Sequence, residues 1–147
     1  MTENILINEK NAFLENFKII SERFNRAVHA SGRNEGAVIL LAATKTVDAK
    51  IIDFACENGI KLFGENRVQE YLSKLSILKT TVPRHFIGTL QTNKVKDIVG
   101  KVDMIQSVDS VTLARFISER TFNTASKATN TPFQAVLPAI FTYLPSL

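Results

Sequence analysis

The chain has 147 residues, 45% of them hydrophobic and 22% charged, with a formal net charge of +4 from 18 basic and 14 acidic side chains. That is the usage of an ordinary globular domain able to bury a single core. Its one cysteine excludes an intramolecular disulfide framework, and its basic residues are dispersed, without the block that tracks nucleic-acid phosphates.

The N-terminus, Met1 to Lys10, has no basic segment followed by an apolar one, so no secretory signal or transit peptide is expected and the cytoplasm is the default compartment. Phe13, Phe17, Ile20 and Phe24 recur at helical spacing, and Ser31-Gly32 supplies a stop, which predicts one long amphipathic helix. Next comes Val38 to Thr46, a nearly continuous apolar run whose one charge is Lys45. A short run of this kind fits a strand buried on both faces of a parallel sheet. Lys45 then stands at a carboxyl end, where ligand chemistry gathers in α/β folds. Two readings stay open: a partly desolvated amine that attacks carbonyls, or a lysine that marks where the strand meets water.

Asp48 can cap a helix whose Ile51, Ile52 and Ala55 face inward and which Gly59 ends; Cys56 lies within it as a small core residue. The pattern then repeats. Ile60 to Phe63 is a second strand ending in Gly64-Glu65-Asn66, followed by a helix lined by Val68, Tyr71, Leu72 and Leu75. His85-Phe86-Ile87 runs into Gly88 and a helix carrying Val95, Ile98 and Val99. Met104 to Val108 gives way to Asp109-Ser110, a cap for a helix with Leu113, Ala114, Phe116 and Ile117. Strand ends separated by roughly twenty residues match consecutive βα units of a parallel α/β fold.

Past about Arg120 the rhythm stops. Residues 128–147 carry no charged side chain and contain Pro132, Pro138 and Pro145. The expected division is therefore 1–120 as the α/β part and 121–147 as an atypical tail, either disordered or the product of a disrupted reading frame. Its apolar stretch, Ala135 to Leu144, is broken by Pro138 and too short to span a bilayer core of about 30 Å.

Four segments carry the argument beyond fold class: Ala43-Thr44-Lys45-Thr46; Phe63-Gly64-Glu65-Asn66-Arg67-Val68-Gln69-Glu70; His85-Phe86-Ile87-Gly88-Thr89-Leu90-Gln91-Thr92-Asn93-Lys94; and Ser107-Val108-Asp109. In this order and spacing they closely resemble the YggS/PROSC family of pyridoxal phosphate homeostasis proteins, relatives of the N-terminal barrel domain of alanine racemase. The resemblance covers roughly residues 10–120. It implies a (β/α)8 TIM-type barrel, here about its first four units, in which the lysine ending the first strand holds pyridoxal 5′-phosphate as a Schiff base.

By position that lysine is Lys45, and Asn66 matches the asparagine beside the cofactor ring, although a helix N-cap explains Asn66 equally well. Glu65, Arg67, Gln69 and Glu70 fit a solvated, ion-paired helix start. Gln91, Asn93 and Lys94 fit capping or the ligand side of the next helix, and His85 a barrel histidine packed or hydrogen-bonded in place. No metal site and no catalytic residue is expected. The later family segments that hold the cofactor phosphate, a serine-rich stretch and an Arg-Ile-Gly stretch, do not occur in this sequence. The resemblance thus implies a truncated member with open strand edges that favour self-association.

The function implied is a cofactor carrier without turnover, serving enzymes that require pyridoxal phosphate; a nonfunctional fragment is the other outcome of truncation. The alternative is a racemase-like or Schiff-base enzyme, which needs an acid/base group opposite Lys45. Tyr71, on a helix face, and Tyr143, in the tail, are poor substitutes for it. A nucleic-acid module built on Lys94, Lys96 and Lys101 lacks interleaved aromatics and is disfavoured.

Overall fold

The computed structural model describes residues 2–125, in which four short parallel strands alternate with helices. The expected long helix is α1 (Thr2–Ala30). It packs on the next helix, α2 (Ala49–Glu57), through aromatic rings: Phe13 stacks on Phe17 at 5.3 Å and meets Phe54 edge-on at 6.0 Å, with the Lys10 ammonium 4.8 Å from the Phe54 ring. Ile20, expected to face inward, is 48% exposed. The ring contact with α2 is made further toward the N-terminus of α1, at Phe13, and Ile20 lies about two turns beyond it.

Strand β1 is only Ala42–Ala43. This corrects the expectation of a doubly buried strand over Val38 to Thr46, since Val38 and Ile39 are 39% and 60% exposed. The reason is position: β1 is the edge of the sheet, paired to β2 (Phe63–Glu65) alone, with Ala42 opposite Phe63 and Ala43 opposite Gly64. Asp48 caps α2 as expected, accepting from the Lys50 amide at 2.8 Å. Strand β2 starts later than the expected Ile60, which is buried as a lead-in.

Helix α3 (Val68–Leu75) follows, then β3 (Arg84–Phe86). A 3-10 turn (Thr92–Lys94) leads into a short α4 (Val95–Ile98), and β4 (Met104–Ile105) precedes α5 (Val111–Ala125). Ser110 opens α5, its Oγ accepting from the Leu113 amide at 3.2 Å. The helix passes Arg120 and is described as far as Ala125, while the remainder of the expected tail lies outside the described residues.

The sheet order is β1-β2-β3-β4, every pair parallel. Register divides the residues between two faces. Phe63, Glu65, Phe86 and Ile105 share the face covered by helices, and all are 1% exposed or less. Phe86 and Ile105 join Tyr71, Leu90, Val95, Ile98, Leu113 and Ile117 in one core cluster, each large apolar side chain contributing roughly 1.5–3 kcal/mol. The opposite face presents Ala43, Gly64, His85 and Met104 in register, and Ala43 is exposed. This is the α/β architecture expected of the first units of a barrel; on the inward face Gly64 is buried, with the Leu41 and Ile87 side chains against it, and His85 and Met104 are half-buried.

Candidate functional site

The carboxyl ends of β1 and β2 lie side by side, because the Thr44 amide donates to Gly64 O at 2.9 Å. Thr44 to Val47 then form a tight turn, closed by the Val47 amide donating to Thr44 O at 3.1 Å. Lys45 is the second residue of this turn and is exposed, not partly buried as one of its sequence readings required. Thr46 has φ +64°, the one positive φ at a non-glycine among the described residues. A β-branched side chain seldom adopts this conformation, which turns usually assign to Gly or Asn. Two bonds hold it: the Thr46 hydroxyl donates to Lys45 O at 2.6 Å, and its amide donates to Glu70 Oε1.

Glu70 belongs to a wider network. Lys74, one turn along α3, donates to Glu70 Oε1 at 2.7 Å, to Glu65 Oε1 at 3.0 Å and to Thr44 O at 2.9 Å, so its three ammonium protons meet three acceptors. Glu65 Oε1 also accepts from the Thr44 hydroxyl at 2.7 Å. The hydrogen bond from Lys74, and after it the Thr46 amide, hold the Glu70 carboxyl below its ordinary pKa. The expectation of a solvated helix start is thus corrected at Glu65, which is 1% exposed and faces the helices; Arg67 and Gln69 do remain exposed. The Glu70 to Lys74 spacing of four was visible in the sequence as a helix-surface pair. Nothing local announced that Glu65 and Thr44 would join it.

Asn66 follows β2 directly. The helix cap is Arg67, which makes no side-chain cap bond, so the capping explanation of Asn66 does not hold. Asn66 Oδ1 is instead buried without a hydrogen-bond partner, and so is Glu65 Oε2. Exchanging the Asn66 amide oxygen and nitrogen would leave a buried donor in place of a buried acceptor. Gly88 stands against this residue: a Cβ there would lie 2.1 Å from Asn66 O, so only glycine allows the end of β3 to approach.

Further along the inward face, Gln106 Nε2 lies 2.8 Å from His85 Nδ1. With the amide as donor, Nδ1 accepts and the neutral ring carries its proton on Nε2. Burial pushes the His85 pKa down, consistent with a histidine held in place. Ser107 Oγ donates to Ile87 O at 2.8 Å and ties β4 to β3. Tyr71 is fully buried; its hydroxyl donates to Lys101 O, and burial raises its pKa. Gln91 caps the 3-10 turn by position without a side-chain bond, and Asn93 is exposed. Cys56 is half-buried in α2, its thiol pKa raised by burial.

Among curated proteins, the pyridoxal phosphate homeostasis protein of Aquifex aeolicus is 45% identical over 109 residues, covering 74% of this chain and 48% of that protein. Those of Pseudomonas aeruginosa and Escherichia coli are 36% and 30% identical, covering 46% and 49% of their own lengths. Over that shared length the chain is similar to pyridoxal phosphate homeostasis proteins of the YggS family at 30–45% identity. It spans about half the length of the relatives it matches.

Solved structures agree. A protein of unknown function from Bifidobacterium adolescentis superposes with a TM-score of 0.74 at 34% identity, covering 80% of this chain and 52% of that one. PipY of Synechococcus elongatus, solved with pyridoxal phosphate bound, matches with a TM-score of 0.59 at 33% identity, covering 69% and 49%. No protein-family model matches the sequence. Among the described residues, no helix is long and apolar enough to cross a membrane, and no cluster of metal-ligating side chains occurs.

Proposed function

We propose that this chain carries the lysine half of a pyridoxal 5′-phosphate site: Lys45 holds the cofactor covalently as a Schiff base, and Asn66 contacts its ring. The observation that carries this reading is the buried, unpartnered Asn66 Oδ1 at the strand end adjoining the turn of Lys45. A buried polar atom without a partner costs roughly 1–3 kcal/mol, and a donor on a bound ligand would remove that cost. When bound, the cofactor supplies an electrophilic aldehyde carbon. Lys45 offers an exposed primary amine to it, which a guanidinium could not replace.

Glu65 stays with Lys74 and Thr44 on the helix-covered face, so it orients the scaffold and leaves Lys45 as the reactive group. A carrier without turnover fits better than an enzyme of racemase type. Tyr71, the one tyrosine among the described residues, is buried and committed to Lys101 O, so no phenol among those residues is placed to exchange protons opposite Lys45. The recipients are enzymes that require the cofactor, and the compartment is the cytoplasm.

The test is borohydride fixation of pyridoxal phosphate onto the purified chain, followed by peptide mapping. A dominant adduct at Lys45, absent in Lys45→Ala and about tenfold weaker in Asn66→Ala, is the expected result. Labelling spread evenly over Lys45, Lys50 and Lys61 would remove the proposal.

A further inference from the structure

The turn that carries Lys45 is held more firmly than hydrogen-bond satisfaction requires. Thr46 is exposed, so water could accept from its amide; Glu70 Oε1 takes the bond instead. Nor is Glu70 needed to dock α3 on the sheet, because Lys74 already reaches Glu65 Oε1 at 3.0 Å and Thr44 O at 2.9 Å from the same helix. What the extra bond does is select one backbone conformation. Thr46 at φ +64° lies in a region a threonine leaves readily unless its surroundings over-determine it.

The surroundings here are the Val47 to Thr44 closure, the Thr46 hydroxyl on Lys45 O, and Glu70, itself anchored by Lys74. Both carbonyl groups that flank the Lys45 Cα take part in these bonds: Thr44 O accepts from Val47 and Lys74, and Lys45 O accepts from Thr46. The side chain of Lys45 is thus free in solvent while its backbone is clamped on both sides.

We propose that Glu70 is a positioning residue for Lys45: through the Thr46 amide it locks the left-handed turn from which the amine is presented to an aldehyde ligand. The inference rests on the cofactor reading above. Orienting a nucleophile converts part of the entropic cost of bond formation into structure, and small misplacements of a reacting group lower yields steeply. Lys74 acts one step further back, by holding the carboxylate of Glu70 where the Thr46 amide meets it.

Two readouts on the full chain test this: amide hydrogen exchange at Thr46, followed by NMR, and the equilibrium constant for the Lys45 adduct with pyridoxal phosphate. In Glu70→Ala, Thr46 exchange rises about tenfold and the adduct constant falls about tenfold, while amides of the core strands keep their protection. Glu70→Gln keeps an oxygen in the same place and returns both values to within about threefold of the parent chain.

Should Glu70→Ala fail to fold, Glu70→Asp serves: it keeps the negative charge beside Lys74 but is one methylene shorter, so it no longer meets the Thr46 amide, and it lowers the adduct constant several-fold. An adduct constant unchanged in folded Glu70→Ala, or in Glu70→Asp, overturns the inference and leaves the cofactor reading intact. Absence of any Lys45 adduct in the parent chain removes the cofactor reading, and the inference falls with it.

Discussion

At the scale of single residues, the ends of β1 to β3 depart from ordinary backbone and packing rules at adjoining points. Thr46 occupies a left-handed conformation, Asn66 buries an unpartnered amide oxygen, and Gly88 lies where no side chain fits. Strain and unsatisfied groups persist where the surrounding structure over-determines them, and they gather at binding sites. Gly88→Ala is the sharpest probe of this crowding. Its Cβ would meet backbone atoms of Asn66, which cannot rotate away as the end of a side chain can. A loss of roughly 3 kcal/mol in urea unfolding is expected, along with a shifted Asn66 amide resonance. A near-neutral change would show that the strand ends separate more easily than the close approach implies.

At the scale of elements, α3 is fastened to the sheet by charge as well as by Tyr71. Lys74 is 8% exposed and Glu65 is 1% exposed, so breaking their pair leaves a buried charge without compensation. Lys74→Met is therefore expected to cost about 3–5 kcal/mol. Lys74→Met combined with Glu65→Leu should recover most of that loss, since a well-packed apolar pair replaces both charges. A double variant no more stable than Lys74→Met would contradict this account.

The same helix supplies an acid-sensitive contact. Lys74 and the Thr46 amide lower the folded-state pKa of Glu70, so the stability contributed by that carboxylate is complete above the ordinary glutamate value of about 4.3 and disappears as pH falls through the depressed one. Exchange of the Thr46 amide, corrected for intrinsic pH dependence, should therefore stay constant through neutral pH and accelerate only below that ordinary value. Acceleration beginning near pH 6 would point to a histidine rather than to Glu70.

At the scale of the whole molecule, the four parallel strands leave an edge at β1 among the described residues. Ile39 at 60% exposure and Val38 at 39% lie beside that edge. An unpaired edge next to exposed aliphatic side chains is a template for further pairing. Sedimentation velocity of the chain is expected to show self-association that rises with concentration. A single monomeric species from micromolar to near-millimolar protein would mean that the edge is protected.

What the sequence by itself determined is what short-range pattern encodes. Helical spacing marked α1, Asp48 marked the start of α2, Gly59 its end, and the step of about twenty residues marked a parallel βα series. Motif order reached the family, with Lys45 and Asn66 as candidates, and matching relatives bear the family out. Tertiary structure decided the rest, because the deciding contacts join residues far apart in the chain. Lys74 meets Thr44 across 30 positions and Thr46 meets Glu70 across 24, so neither the burial of Glu65 nor the locked turn at Lys45 has a local signal. The exposure of Val38 and Ile39 has the same origin: an apolar run specifies strand character, but only the sheet decides whether that strand lies at the centre or at an edge.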